Sequence, residues 1–231
     1  MREIPFAVIF DMDGTLFQTE TVLVPALHKT FDRLRREGLW QGDTPVEEYL
    51  RILGVPVLEV WRRLMPEARE AVRGRAAAWF LDDIIDEIEQ GNGRLYPDVL
   101  PTLAALADQG IPLFVASNGR SRYLDAIRIA FQLERYFIDF YSLDRFSLPS
   151  KSALVKQLLN DYEIERAVMV GDRRSDIEAA KDNGLWTIGC RFGFANDEEL
   201  READVIIHQF SEIGSAWMEI KNKPQKFKTM R

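Results

Sequence analysis

The feature that most constrains the fold is a short apolar run, Phe6–Phe10, that ends directly in the acidic segment Asp11–Thr15. A continuous apolar run of this length is typical of a strand buried on both faces in a parallel sheet. Gly14 predicts a tight turn that brings the carboxylates of Asp11 and Asp13 back over the strand tip. Ligands of open α/β sheets bind beyond the carboxyl ends of the strands. We therefore expect a site here, in which one carboxylate attacks and the other handles a proton.

Helical and strand patterns divide the rest of the chain into two parts. Between residues 17 and 91 apolar side chains recur at helical spacing without a convincing strand, which predicts an all-helical insert. From Pro97 onward strands and helices alternate, which is typical of a parallel sheet with helices on both faces. The strands predicted after the first one are 111–116, 137–141, 167–170, 186–190 and 203–207.

These patterns predict an α/β protein whose core combines residues 1–16 and 92–220 around the helical insert 17–91. Residues 221–231 are basic and contain no acidic residue, and no acidic partner is expected for them. A terminus of this composition is usually solvated, and we expect it to be disordered or weakly ordered.

Charge and composition exclude several classes of function. The 231 residues carry a formal net charge of −7, whereas a general nucleic-acid-binding protein carries a basic stripe. No apolar stretch approaches the roughly 18 residues of a membrane span, and the N-terminus lacks the shape of a signal peptide. Cys190 is the only cysteine, so no intrachain disulfide can form. We expect a cytoplasmic protein with neither nucleic-acid nor membrane partners.

Two further clusters are candidates for binding an anion. Ser117 and Asn118 follow the strand predicted over 111–116. A hydroxyl and free backbone N–H groups at the start of a helix bind anions, although the same residues also serve as helix caps. Lys151 precedes another predicted helix, where its charge would offset carboxylates and pair with a substrate anion.

Two more aspartates are expected at the same edge of the sheet. Asp172 lies at the tip of the strand 167–170, and Asp176 opens the following helix. With Asp11 and Asp13 they make four carboxylates in one place, which is costly unless a cation neutralises them. Oxygen ligands alone favour Mg²⁺ over zinc or copper. Capping of its helix is the alternative role of Asp176.

In order and spacing, Asp11–Thr15, Ser117, Lys151 and Gly171–Asp176 resemble the four motifs of the haloacid dehalogenase-like hydrolase superfamily. The similarity is to the phosphatase branch with a helical cap, which includes phosphoglycolate phosphatases and β-phosphoglucomutases. It covers nearly the whole chain. The resemblance implies a Rossmann-like core and identifies the insert 17–91 as the cap domain.

The resemblance implies a Mg²⁺-dependent phosphatase that works through an aspartyl phosphate. Asp11 would attack phosphorus, and Asp13 would protonate the leaving oxygen and later deprotonate water. Ser117 and Lys151 would hold the phosphoryl oxygens. The implied metal site comprises Asp11, the backbone carbonyl of Asp13, Asp172 and Asp176, the last supporting metal-bound water or Lys151.

The resemblance also suggests which residues contact the substrate, a small phosphorylated metabolite such as phosphoglycolate or a sugar phosphate. Thr15, Asn118 and Gly119 are expected near the phosphate, and Gln18 and Glu20 near the rest of the molecule. Further candidates for specificity in the insert are Thr19, Trp61 and Arg62. The expected assembly is a monomer or a homodimer.

Three residues depart from the family pattern. Gln18 stands where related phosphatases often have Asp. Lys151 lacks the proline that often follows it in this group, and Lys156 is the alternative for its role. Arg173 replaces a small hydroxyl residue, and we expect its side chain to point to solvent; whether Arg120 faces the site stays open.

Several alternative functions would require particular residues in this chain. A sugar phosphomutase needs a basic cap residue soon after the first motif, and His28, the nearest candidate, is expected on a helix surface. A phosphonatase needs a Schiff-base lysine, and Lys29 is poorly placed for that role. A dehalogenase lacks the second carboxylate, whereas a non-catalytic phospho-regulated binding protein would not need both Asp11 and Asp13.

Overall fold

The computed structural model of the protein describes residues 4–52 and 57–224. Its strands are β1 (Ala7–Phe10), β2 (Leu113–Ser117), β3 (Asp139–Ser142), β4 (Ala167–Gly171), β5 (Trp186–Cys190) and β6 (Val205–Ile207). They form a six-stranded sheet in the order β3-β2-β1-β4-β5-β6, in which every neighbouring pair is parallel. The expected α/β class with a parallel, Rossmann-like sheet is confirmed.

Strand β1 lies in the middle of the sheet because its side chains are apolar on both faces. All four of its residues are buried. Ile9 belongs to the apolar core on one face, together with Ala7. Successive side chains of a strand alternate in direction, so Phe10 points to the other face. There its ring lies 5.8 Å from that of Phe137 and 5.9 Å from that of Phe210.

Helices of the described residues are α1 (Glu20–Arg36), α2 (Val46–Arg51), α3 (Val57–Leu64), α4 (Glu70–Glu89), α5 (Val99–Asp108), α6 (Ser121–Ala130), α7 (Leu143–Phe146), α8 (Lys151–Asp161), α9 (Arg174–Asp182), α10 (Asp197–Leu200) and α11 (Ile213–Lys221). Helices α2, α7 and α10 were not predicted, because four to six residues are too few to show a helical period. Helix α11 was also missed, since Gly214 in its first turn argues against a helix. None of the helices described has the length and apolarity that crossing a bilayer requires.

The chain separates into two compact units. One contains the described residues up to Gln18 and from Arg94 onward, and the other contains those within Thr19–Gly93. The first unit holds the sheet, and the second holds α1 to α4. That the insert 17–91 acts as a cap domain stays a prediction.

An aromatic cluster forms the centre of the helical unit. The ring of Trp61 lies 6.1 Å from that of Phe31 and 5.6 Å from that of Phe80. Its side chain is 1% exposed. An indole of this size fills the interior between the helices, where its apolar area is removed from water. The expectation that Trp61 contributes to substrate specificity stays a prediction.

Polar and charged side chains also join α1 to α4. The Thr30 hydroxyl donates to Asp83 at 2.6 Å, which satisfies a buried carboxylate. Lys29 Nζ lies 2.6 Å from a carboxylate oxygen of Asp86 and 2.6 Å from one of Glu87. Hydrogen bonds to Asp86 and Glu87 raise the pKa of Lys29 above its ordinary value. Lys29 is therefore held as an ammonium ion.

The C-terminal residues that are described differ from the expectation. Lys221 ends helix α11, and Lys223 forms an ion pair with Glu219 at 2.8 Å. The Arg166 guanidinium donates to the carbonyl of Lys223 at 2.6 Å. The prediction that this basic tail lacks an acidic partner is thus wrong at Lys223, because Glu219 lies one helical turn before it. The rest of the tail, residues 225–231, lies outside the described part.

A pair of isoleucines tests the central position of β1. Ile9→Ala should lower the free energy of unfolding by about 2–5 kcal/mol, because it removes a fully buried side chain from the middle of the sheet. Ile129→Ala, at a position that is 64% exposed, should change it by less than about 0.5 kcal/mol. Urea unfolding followed by circular dichroism measures both. Similar values for the two variants would contradict the assignment of the core.

Candidate active site

The register of the sheet determines which loops meet at its carboxyl edge. Phe10 of β1 lies opposite Val170 of β4, and the Asp11 N–H donates to the Val170 carbonyl at 2.8 Å. Asp172 follows one residue after the end of β4. On the other side of β1, strand β2 ends at Ser117. Three neighbouring strands therefore deliver Asp11, Asp172 and Ser117 to the same edge, as expected for parallel strands.

Three buried carboxylates converge there. Asp11, Asp172 and Asp176 each offer one oxygen atom, and these atoms all lie within 4.8 Å of one another. The expected gathering of acids from distant parts of the chain is found for these three. The side chain of Asp13 is not part of this group: it is half-buried, and its Oδ1 accepts a hydrogen bond from the Tyr123 hydroxyl at 2.5 Å.

Lys151 lies between two of these acids. Its Nζ is 2.6 Å from Asp11 Oδ1 and 2.5 Å from Asp176 Oδ1. It is the first residue of α8, whose start is capped by the Ser150 hydroxyl. Burial by itself would lower the pKa of Lys151, but Asp11 and Asp176 outweigh it and hold that pKa above the ordinary value. Lys156 is exposed on the same helix, so the position next to the carboxylates belongs to Lys151.

The site has more negative than positive charge. Burial raises the pKa of Asp11 well above its ordinary value, and the neighbouring carboxylates of Asp176 and Asp172 act in the same direction against Lys151. Burial, reinforced by Asp176, raises the pKa of Asp172 to about 7. One ammonium group therefore does not offset the burial of Asp11 and Asp172, whose pKa values stay raised. A divalent cation would supply the missing charge.

The backbone of two loops lies very close to the Asp172 carboxylate. Gly14 adopts a φ of +73°, and a Cβ there would lie 2.2 Å from Asp172 Oδ2. The Phe194 N–H donates to the same oxygen at 2.6 Å, and the Thr15 hydroxyl lies 3.5 Å from Oδ1. Only glycine fits at position 14, because any side chain would collide with the carboxylate. An oxygen-only set of three acids held this way fits a hard cation such as Mg²⁺.

The residues predicted to bind phosphate differ in their burial. Ser117 is buried, and its Oγ accepts a hydrogen bond from the Gly119 N–H at 3.0 Å. Thr15 is buried beside Asp172, whereas Asn118 and Arg120 are exposed. The loop after β2 therefore directs a hydroxyl and a backbone turn toward the edge of the sheet.

The predicted substrate residues Gln18 and Glu20 fall in different units. The Gln18 amide donates to the Leu95 carbonyl at 2.7 Å, which joins the two chain segments of the sheet-bearing unit. Glu20 is the first residue of α1 in the helical unit. Their contacts with substrate stay predictions.

Arg173 and Asp176 have roles that the sequence indicated only in part. Arg173 Nε lies 3.0 Å from Glu199 Oε2, and its side chain is 30% exposed. The expectation that this side chain points to solvent stays a prediction. Asp176 Oδ2 accepts the Arg173 N–H at 2.9 Å, while its Oδ1 faces Lys151. Its two alternative roles, capping and support of the charged site, are therefore filled by the two oxygens of one carboxylate.

Tyr123 and the Phe194 N–H are the site groups that sequence reasoning missed. Tyr123 lies on the apolar face of α6, where its position resembles that of an ordinary core residue. The Phe194 contact is made by the backbone, which carries no residue-specific signal. A tyrosine six residues after Ser117 was the one available clue.

Comparison with known proteins agrees with this geometry. A family model of haloacid dehalogenase-like hydrolases matches residues 7–184. The phosphoglycolate phosphatase of Photobacterium profundum is 28% identical over 214 residues, covering 89% of this chain and 93% of that protein. A 5'-nucleotidase of Pseudomonas aeruginosa is 26% identical over 201 residues, covering 84% and 86%.

Solved structures show the same fold. CbbY from Rhodobacter sphaeroides, determined in complex with phosphate, is 26% identical with a TM-score of 0.72, covering 90% of this chain and 96% of that chain. A haloacid dehalogenase-like protein from Streptococcus pneumoniae has a TM-score of 0.75 at 20% identity, covering 94% and 100%. The second likeness concerns the fold alone.

Added Mg²⁺ should stabilise the protein in a pH-dependent manner. Because the pKa of Asp172 is about 7 in the folded protein and near 3.8 when unfolded, metal-free protein loses stability as the pH rises between these values. Mg²⁺ must displace the Asp172 proton below about pH 7, but meets a carboxylate above it. Saturating Mg²⁺ should therefore raise the unfolding temperature by roughly 5 °C at about pH 8.5 and by much less at about pH 5.5.

Differential scanning fluorimetry of EDTA-treated protein measures this effect. The control is Asp172→Asn, which removes the titrating carboxylate and should show little stabilisation by Mg²⁺ at either pH. Equal stabilisation of the unsubstituted protein at both pH values would contradict the assignment of Asp172 to the cation site.

Proposed function

Because this chain belongs to the haloacid dehalogenase-like hydrolases, we propose that it is a Mg²⁺-dependent phosphatase whose nucleophile is Asp11. The observation that carries the proposal is the buried cluster of Asp11, Asp172 and Asp176 around Lys151. The reaction is the hydrolysis of a phosphoric monoester through an aspartyl phosphate.

The hydrogen bonds of the acids support Asp11 as the nucleophile. Asp172 accepts the Phe194 N–H from the loop after β5, and Asp176 accepts the Arg173 N–H from its own loop, so both are tied to backbone groups. Asp11 has Lys151 as its cationic neighbour, which favours the ionised form that attacks phosphorus. We assign proton transfer to and from the reacting oxygens to Asp13, whose side chain is half-buried rather than enclosed.

Stabilisation of charge is assigned to the remaining groups. Mg²⁺ held by Asp11, Asp172, Asp176 and the Asp13 carbonyl would neutralise the acids and polarise a phosphoryl oxygen. Lys151 and the Ser117 hydroxyl would bind the other phosphoryl oxygens, and Thr15, Asn118 and Gly119 would line the phosphate site. We further propose that the helical unit is a cap that excludes water and selects the substrate. Gln18 and Glu20 would contact the rest of the substrate, the part to which the phosphate is attached.

Alternative reactions of the same fold are less well supported. Formation of a Schiff base requires a neutral amine, and Lys29 is instead kept protonated by Asp86 and Glu87. His28, the candidate base for a sugar phosphomutase, is exposed on α1. A protein that only binds phosphate would not need both Asp11 and Asp13, and both are present.

The substrate we propose is a small phosphate monoester, with phosphoglycolate as the first candidate. Relatives named phosphoglycolate phosphatase support it, including the 28% identical protein of Agrobacterium fabrum. We also propose a cytoplasmic location, in agreement with the single cysteine, which excludes an intrachain disulfide. A panel of phosphoglycolate, sugar phosphates and nucleoside monophosphates, ranked by kcat/KM, would identify the substrate class.

Replacement of the nucleophile should abolish turnover. Asp11→Asn should lower kcat for p-nitrophenyl phosphate by at least about 10³-fold, because the amide cannot form the acyl phosphate. Asp125→Asn, which removes a carboxylate from an exposed ion pair on α6, should stay active. Steady-state kinetics and circular dichroism of both variants make the comparison. An Asp11→Asn variant that is folded and retains most activity would refute the assignment.

Removal of the metal should stop the reaction reversibly. Dialysis against EDTA should abolish hydrolysis of p-nitrophenyl phosphate, and added Mg²⁺ should restore it, because Lys151 alone leaves the acids short of positive charge. Addition of Na⁺ at the same ionic strength is the control and should restore nothing. Full activity after chelation would count against a metal-dependent reaction.

A further inference from the structure

One hydrogen bond of the site joins a residue with an assigned chemical role to a residue without one. The Tyr123 hydroxyl donates to Asp13 Oδ1 at 2.5 Å across 110 positions of the chain. Asp13 comes from the loop after β1, whereas Tyr123 comes from the first turn of α6. The contact therefore connects two separate loops at the edge of the sheet.

The Tyr123 ring is itself held in place. A Cβ at Gly119 would lie 3.1 Å from the Tyr123 ring and 3.2 Å from Ser117 Oγ, so the loop after β2 packs directly on the ring. The ring of Phe17 meets it edge to face, with centroids 6.4 Å apart. With 6% of its surface exposed, Tyr123 has little freedom to rotate. Its hydroxyl is thus a fixed donor.

The start of α6 is anchored as well. The Ser121 N–H donates to Asp144 at 3.0 Å, and the Ser121 hydroxyl donates to the same carboxylate at 2.8 Å. Asp144 follows β3, the strand paired with β2. The position of the Tyr123 backbone is therefore set by two strands of the sheet.

We propose that Tyr123 is a positioning residue that orients the Asp13 carboxyl group for proton transfer to the leaving oxygen of the substrate. This rests on the proposed function. In that step the Asp11 carboxylate oxygen forms a bond to phosphorus, and the bond between phosphorus and the ester oxygen breaks. Asp13 enters this step as the neutral acid: the ester oxygen keeps the electron pair of the broken bond and takes the proton from Asp13, which becomes a carboxylate. Tyr123 makes and breaks no bond; it holds the donor at the distance that proton transfer requires.

The leaving group provides a readout that a structural role would not affect. An alkoxide needs the proton as it departs, whereas p-nitrophenolate is a stable anion that leaves without one. Tyr123→Phe should therefore lower kcat/KM for an alkyl phosphate, phosphoglycolate or glycerol phosphate, by roughly tenfold or more. For p-nitrophenyl phosphate it should lower kcat/KM by less than about threefold.

Tyr141→Phe is the matched control. The Tyr141 hydroxyl also donates to an aspartate, Asp161, at 2.6 Å. Tyr141 is buried like Tyr123, but it lies on β3 and its partner is not one of the acids of the site. It should leave both kcat/KM values unchanged. A loss common to the two tyrosine variants, or an equal loss of Tyr123→Phe on alkyl and aryl substrates, would overturn the proposal.

A double-mutant cycle completes the test. If Tyr123 acts through Asp13, Tyr123→Phe should have no further effect on kcat/KM for the alkyl phosphate in an Asp13→Asn background. The same fold-loss in both backgrounds would show that Tyr123 acts independently and would overturn the inference. Failure of the proposed function has a different signature, namely an active Asp11→Asn variant.

Discussion

The interaction on which the site depends is the sharing of the Lys151 ammonium group between Asp11 and Asp176. Lys151 is buried, and removing it would leave the charges of these two acids uncompensated in the interior, at a cost of about 3–5 kcal/mol. The sheet makes this arrangement possible, because β1 and β4 are adjacent and parallel and end at the same level. Lys151 reaches the pair from the first turn of α8. The three groups come from three distant parts of the chain and cannot meet before the core has formed.

The same arrangement supports the proposal that a cation completes the site. Asp172 lies beside the shared pair, yet Lys151 already serves two other acids, and the pKa of Asp172 rises to about 7. Gly14 and the Phe194 N–H keep Asp172 from moving away. Burial of these carboxylates is unfavourable for folding. It favours the binding of a divalent ion, because the carboxylates are already desolvated before the ion binds.

How far the sequence predicts the structure depends on what determines each position. Asp11 and Asp172 were predicted because they directly follow apolar runs, and the end of a parallel strand has only one place in the fold. The contact of Tyr123 was not predicted, because apolar periodicity assigns a residue to a helix face without saying what that face contacts. Trp61 packs within its own helical unit, whereas Tyr123 reaches a carboxylate 110 positions away. Such a contact is set by tertiary packing.

The energetics of the reaction indicate how the work is divided among these groups. Hydrolysis of a phosphate monoester needs acceleration by up to ~10²¹-fold, roughly 28 kcal/mol. Proton transfer of the kind assigned to Asp13 supplies about 3–5 kcal/mol, and orientation of the nucleophile about 7–11 kcal/mol. The larger remainder must come from charge stabilisation by Lys151 and the cation. Tyr123, acting through Asp13, can affect only the smallest share. Its influence is therefore confined to substrates whose leaving group needs a proton.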